Sequence, residues 1–177
     1  WREEEYQSYG YEFPKPSVRF KQLEETIEIC RLMWSQDEPQ FDGDVFVIDG
    51  AAAPPRPEVI PPVCLGTSGE QIGIPLAARQ ADIWNTVWRG SRDSLERKCD
   101  VMHKHLELGE RERNEIQFSL TIERALPNTK PEASEFIDLL TGFIALGFEH
   151  FVLDFGNPSS AAEADLFIAE VLTPLRR

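Results

Sequence analysis

The chain is short of several things, and each shortage narrows what it can be. Its 177 residues contain no apolar run near the roughly 18–20 needed to cross a bilayer. The start, Trp1-Arg2-Glu3-Glu4-Glu5, lacks the apolar stretch of a secretory signal. It also lacks a methionine, so a processed, tagged or trimmed product is expected. Positive charge is scarce: 18 Lys and Arg stand against 31 Asp and Glu, a net charge of −13. Neutralising a phosphate backbone takes clustered cations, so nucleic-acid binding is excluded, and no membrane partner is expected. Cys30, Cys64 and Cys99 are odd in number, far apart and without a CxxC pair. Neither a disulfide framework nor a zinc site follows from them; buried, reduced thiols in a cytoplasmic protein do. There is no Walker motif, GxGxxG, nucleophile elbow, zincin motif or carboxylate dyad, and no repeat of fixed period.

What is present is ordinary globular material. Apolar residues make up 41% and charged residues 28%, so global disorder is ruled out, and the length suits one domain over residues 1–177. Phe20, Leu23, Ile27, Cys30 and Trp34 recur at steps of three and four, predicting a helix over Ser17–Ser35 with Ser17 as N-cap and Pro14 and Pro16 blocking an earlier start. The acidic run at Glu3–Glu5 reads as a solvated helix start. Phe41 to Gly50 reads as a hairpin turned at Asp42-Gly43. Residues 51–62 hold Pro54, Pro55, Pro57, Pro61 and Pro62, an extended surface connection. Together, residues 37–62 form an insertion of hairpin plus Pro-rich connection.

From Val63 a regular beat begins. Val63–Leu65 is a short strand and Ile74–Gln80 a helix with Pro75 in its first turn. Ala81–Trp84 is a second strand and Ser91–Leu108 an amphipathic helix stopped by Gly109. Ile116–Ile122 is a strand, and Glu132–Leu146 a helix stopped by Gly147. Phe148–Phe155 is a strand, and a last helix opens at Asn157–Ser160 with Ser160 and Glu163 as a capping box. Strand alternating with helix predicts right-handed crossovers and a parallel sheet, with strands apolar enough to be buried on both faces.

Chemistry concentrates at Gly66-Thr67-Ser68-Gly69, between a predicted strand and a predicted helix. Ligands of parallel α/β folds sit at the carboxyl ends of strands. Two glycines permit a tight turn, Thr67 and Ser68 add hydroxyl donors, and the helix start adds a positive dipole end. That set suits a phosphate without a lysine; the plainer reading is a Gly-rich βα turn. Trp84, at a predicted strand end, is either a wall for an aromatic ligand or a core residue. Asp82 and Asp154 read as structural carboxylates. His103, His105 and His150 are scattered and form no metal pair, and no catalytic residue stands out.

Taken in order, these segments resemble the luciferase-like monooxygenases. Trp1-Arg2-Glu3-Glu4-Glu5-Tyr6-Gln7-Ser8-Tyr9-Gly10-Tyr11-Glu12-Phe13-Pro14 resembles the segment after that family's fourth strand. Arg19 and Leu23-Glu24-Glu25 follow as its helix does. Phe41-Asp42-Gly43 and Pro55-Arg56-Pro57 are similar to its insertion before strand five. Val63–Glu70 is similar to its strand-five phosphate loop, and Ala77–Asn85 to its strand-six signature. Glu170–Arg176 resembles its final helix. The resemblance implies an α/β fold, the carboxyl-terminal half of a (β/α)8 TIM barrel with about four parallel strands and a short hairpin insertion. It implies an oxidoreductase using deazaflavin coenzyme F-420, which the Trp1–Pro14 wording favours, or alternatively FMN. The cofactor phosphate would be held by Gly66, Thr67, Ser68 and Gly69, with Trp84 beside the ring, for hydride transfer or oxygenation of a small organic substrate. Thr67 stands where the family usually has a second glycine, and Ile83 where it has a glycine between Asp82 and Trp84. The family's first four strands have no counterpart, so the chain is expected to have lost its first half. Two other readings stay open. One is a non-catalytic half-barrel that binds cofactor phosphate or is only structural. The other is an unrelated phosphate-binding α/β domain. Open sheet edges predict a homodimer or other self-association.

Overall fold

The computed structural model of the chain describes residues 2–156 and 161–175. The fold divides into two compact units, Trp1–Val63 and Cys64–Arg177.

The first unit starts with helix α1, Glu3–Ser8, whose three glutamates lie in the first turn, where the helix dipole favours negative charge. Helix α2 spans Pro16–Ser35. It begins at Pro16 with Lys15 as N-cap, two residues ahead of the N-cap expected at Ser17. Proline at the first helical position loses only an N–H that has no partner there anyway, so Pro16 initiates the helix instead of blocking it. Strands β1 (Gln40–Asp42) and β2 (Val47–Asp49) form the expected antiparallel hairpin, pairing Phe41 with Ile48. Its tip differs from the expected two-residue turn at Asp42-Gly43. Residues 43–46 form a four-residue loop, closed by Gly43 N–H donating to the Phe46 carbonyl at 2.9 Å.

The cause is a side chain nearly twenty positions away. Glu25 on α2 is buried, and its carboxylate accepts from the backbone N–H of Asp44 at 2.8 Å, Val45 at 3.0 Å and Phe46 at 2.8 Å. Lys21 stands 3.7 Å from the same carboxylate and 3.2 Å from that of Asp44. Burial opposes ionisation of Glu25. The three backbone donors and Lys21 outweigh it and hold the carboxyl below its usual range. Residues 51–62, with their five prolines, contain no helix or strand.

The second unit is a four-stranded parallel sheet in the order β3 (Cys64–Gly66), β4 (Ile83–Val87), β5 (Gln117–Glu123) and β6 (His150–Asp154). The crossover helices are α3 (Gly73–Gln80), α4 (Arg92–Leu108) and α5 (Lys130–Ile144). After β6 come α6 (Ala161–Phe167), a π-helical turn (Ile168–Leu172) and a last helical turn, Thr173–Leu175. This is the alternating α/β order expected from sequence, four βα units of a TIM barrel. Local signals set most boundaries. Ser91 Oγ accepts from Ser94 N–H to cap α4, and Thr129 Oγ1 accepts from Glu132 N–H to cap α5. Gly147, at φ +93°, turns the chain out of α5. The capping box expected at Ser160 lies outside the described residues. Strand β4 begins two residues later than Ala81, because Ala81 still caps α3 through its N–H to the Ala77 carbonyl. It then continues through the β-branched Thr86 and Val87.

Register fixes two unlike faces. Leu65, Trp84, Thr86, Phe118, Leu120 and Ile122 are buried on one face. Their neighbours on the other, Cys64, Asn85, Thr121, His150, Val152 and Asp154, are half-buried or exposed. The strands are therefore not buried on both faces along their whole length, as their apolar runs suggested; β5 alone is, at Phe118-Ser119-Leu120. The same alternation corrects the expectation of three buried thiols. Cys64 is exposed on the open face, Cys30 is half-buried, and Cys99 alone is buried, its thiol pushed up to about 11 by that burial.

Glu25 gives the first unit a pH dependence of defined sign. A carboxyl held below its unfolded value stabilises the fold fully above that value and stops doing so as pH falls through the folded one. Glu25→Gln is expected to lower the melting temperature at pH 7 by about 5 °C. The gap from wild type should close below about pH 4. Thermal melts across pH 3–7 check this; a gap independent of pH would contradict it.

Candidate functional site

The segment Gly66-Thr67-Ser68-Gly69 leaves the carboxyl end of β3 and leads into α3, as the spacing predicted. It is held by the core rather than hanging from it. Thr67 N–H donates to the Asn85 carbonyl at 2.9 Å, extending the sheet by one residue. Trp84 Nε1 donates to the Thr67 carbonyl at 3.0 Å. Gly69 N–H donates to Thr67 Oγ1 at 3.3 Å, and the Gly69 carbonyl accepts from Ile74 N–H at 2.8 Å. Ser68 Oγ and Thr86 Oγ1 share a hydrogen bond of 2.8 Å. Thr86 is buried and Ser68 exposed. The bond ties the exposed Ser68 hydroxyl to the buried one of Thr86. Thr67 Oγ1, accepting from Gly69, keeps its own proton to donate.

The glycines of this stretch do different jobs. A Cβ on Gly73 would overlap Thr67 Oγ1, so Gly73 is what lets the loop lie against the first turn of α3. A Cβ on Gly66 would meet nothing within 4 Å, and one on Gly69 would come no closer than 3.8 Å to Gly73 N. Neither has a positive φ. Both positions thus have room beside the backbone, and at Gly69 that room lies 3.9 Å from Thr67 Oγ1 and next to the start of α3.

Trp84 has no exposed surface. It meets Phe118 edge to face at 4.9 Å and Phe148 at 6.0 Å. Trp84 packs in the core and meets the loop through its indole N–H. Asp154 ends β6 and accepts from Gly156 N–H at 3.0 Å, the structural role expected. Among the described residues no His, Cys, Asp and Glu gather into a metal-binding cluster.

Two features escaped the sequence reading. The first is a polar ladder on the open face of the sheet. Thr121 Oγ1 donates to Asn85 Oδ1 at 3.1 Å, Asn85 Nδ2 donates to Ser119 Oγ at 2.8 Å, and Ser119 Oγ lies 2.8 Å from His150 Nδ1. The ladder links three strands through side chains alone. Only strand register brings these four residues together. The second feature is an ion pair across elements. Arg97 Nε of α4 is 3.3 Å from Oε1 of Glu70, the residue next to Gly69. Twenty-seven positions separate them, and no local pattern announces the pair.

Comparison with known proteins adds a family. The profile described as luciferase-like monooxygenase matches residues 1–167. The F420-dependent glucose-6-phosphate dehydrogenase of Nocardia farcinica is 34% identical over 73 residues, 41% of this chain and 20% of that protein. The sulfoquinovose monooxygenase of Agrobacterium fabrum is 24% identical over 127 residues, 70% of this chain and 32% of that one. Among solved structures, an F420-dependent secondary alcohol dehydrogenase in complex with an F420-acetone adduct superposes with a TM-score of 0.79 at 18% identity. That match covers 94% of this chain and 64% of the other. The chain thus spans a third or less of these two curated relatives.

The contrast among the glycines is testable. Gly73→Ala is expected to destabilise the protein by about 1–3 kcal/mol through overpacking against Thr67. Gly66→Ala and Gly69→Ala should stay within about 0.5 kcal/mol of wild type. Urea denaturation of the three variants checks this; equal losses at all three positions would contradict it.

Proposed function

Since the chain belongs to the luciferase-like monooxygenase family, we propose that Gly66-Thr67-Ser68-Gly69 holds the phosphate of a deazaflavin or flavin cofactor. The protein it serves is an oxidoreductase acting on a small organic substrate by hydride transfer or oxygenation. The observation that carries this reading is a loop at a strand's carboxyl end in which Gly66 and Gly69 have room beside the backbone and Thr67 and Ser68 bring hydroxyls. Coenzyme F-420 is the proposed cofactor, supported by F420-dependent proteins in both the sequence and the structural comparisons. FMN is the alternative. When bound, such a group supplies hydride transfer at its ring C5 or, as a true flavin, oxygen activation.

The chain's own contribution is binding and orientation. Gly66 and Gly69 let the backbone approach the phosphate, and Thr67 and Ser68 donate hydrogen bonds to it. Trp84 and Thr86 fix those two residues from the core, so the donors are set before the ligand arrives. Residues 1–177 are read as one partial barrel domain in which 37–62 is an insertion. A second reading is favoured by the four-stranded sheet with its open polar face: by itself the chain binds the phosphate, or is only structural, without turning over substrate. A cytoplasmic location is proposed; no described helix is long and apolar enough to cross a membrane.

Strands β3 and β6 each pair on one side only within the sheet. We propose self-association through these edges, most simply as a homodimer. Sedimentation equilibrium is expected to show a dimer, and a monodisperse monomer would overturn this.

Cofactor use is tested by titrating F-420 and FMN into the purified chain while following ring absorbance. Binding tighter than about 1 mM, or ~4 kcal/mol, is expected for one of them. Gly69→Val should weaken it at least tenfold by filling the space, with the melting temperature little changed. Binding unaffected by Gly69→Val would overturn the phosphate assignment.

A further inference from the structure

The surroundings of the loop pose an electrostatic problem. The chain carries a net charge of −13, and Glu70 places a carboxylate directly after Gly69. That carboxylate adds negative charge one residue from the loop proposed to hold a phosphate. The fold brings a cation to Glu70 from another element. Arg97 stands on α4 and reaches Glu70, with Nε 3.3 Å from Oε1. It does so although Asp93 lies four residues earlier on the same helix, the spacing at which helical ion pairs form. Its neighbour Arg92 does take the in-helix partner, Glu96, at 2.7 Å. Both members of the Arg97–Glu70 pair keep access to water, their side chains being 59% and 35% exposed. An exposed pair of this kind contributes little to stability, so a competing anion can exchange for the carboxylate.

On the reading that the loop binds phosphate, we infer that Arg97 is its charge-bearing partner and that Glu70 holds the guanidinium until the phosphate takes it over. Arg97 lets an acidic chain bind a dianion on a loop that contains no lysine or arginine. Its planar guanidinium presents two N–H groups to phosphate oxygens, where the carboxylate had accepted from Nε. Glu70 then acts as a competitor that sets the affinity. Without it the loop would bind anions more tightly and less selectively, since any anion must outbid a carboxylate already in place.

The test uses the whole chain and inorganic phosphate as probe, read by the backbone amide shifts of Ser68 and Gly69 in NMR titrations. Wild type is expected to show saturable shifts. Arg97→Gln should weaken phosphate about fivefold and Arg97→Lys about twofold, while Glu70→Gln should tighten it about threefold. The Arg97→Gln difference should shrink as salt rises from about 20 mM to 500 mM, because exposed charges are screened. If Gly69→Val abolishes the shifts while Arg97→Gln leaves affinity unchanged, the loop binds phosphate without Arg97 and the inference falls alone. If Glu70→Gln weakens binding as much as Arg97→Gln does, Glu70 is a prop and not a competitor, which also overturns it. If wild type shows no shifts, or Gly69→Val leaves them intact, the phosphate reading itself is wrong.

Discussion

The second unit depends on the register of four parallel strands, in which Gly66, Asn85, Ser119 and His150 stand side by side. Because side chains alternate along each strand, that one row decides the rest. One residue away in each strand lie Leu65, Trp84, Phe118 and the layer under the helices. In the row itself lie the polar groups of the open face. A slip of one position would turn Trp84 outward and force Asn85 into the helix layer without its partners, so the register is strongly enforced. The buried aromatic trio of Trp84, Phe118 and Phe148 makes the enforcement local to β4 and β5. Truncating a Trp packed as fully as Trp84 costs about 3–5 kcal/mol in comparable cores.

The candidate site inherits this order. Its loop is attached to the sheet by the Thr67–Asn85 backbone bond and to the core by the Trp84 indole. The most buried tryptophan of the unit thereby determines where a surface carbonyl points. The consequence is a loop whose backbone path is set by the sheet and the core. Charge is arranged differently. Arg97 and Glu70 are exposed and exchangeable, so geometry in this region is fixed while electrostatics is adjustable.

How much of this was legible in the sequence depended on distance along the chain. Helix α4 was readable to within a residue because Ser91, its apolar stripe and Gly109 are all local signals. The loop was readable because strand, glycines and helix follow one another. Pro16 was misread as a block since the unpaired first-turn N–H it replaces is invisible in a propensity. Strand β4 was shifted because Ala81, apolar like its neighbours, belongs to the end of α3. The hairpin tip, the polar ladder and the Arg97–Glu70 pair were not readable at all. Each joins residues from separate elements, and only the folded register or a remote side chain brings them into contact.

The buried carboxylate of Glu25 has a consequence for variation within the hairpin. It grips the tip by main-chain N–H groups alone, which every residue but proline possesses. Val45 and Phe46 can therefore exchange their side chains widely while the loop keeps its path; the Asp44 carboxylate is further held by Lys21 at 3.2 Å. The positions that cannot drift are Glu25 itself and Gly43, where a Cβ would collide with the Phe41 ring and the Glu25 carboxylate. A tip built this way is a display surface: its shape is written in α2, and its own residues remain free to be selected for whatever they face.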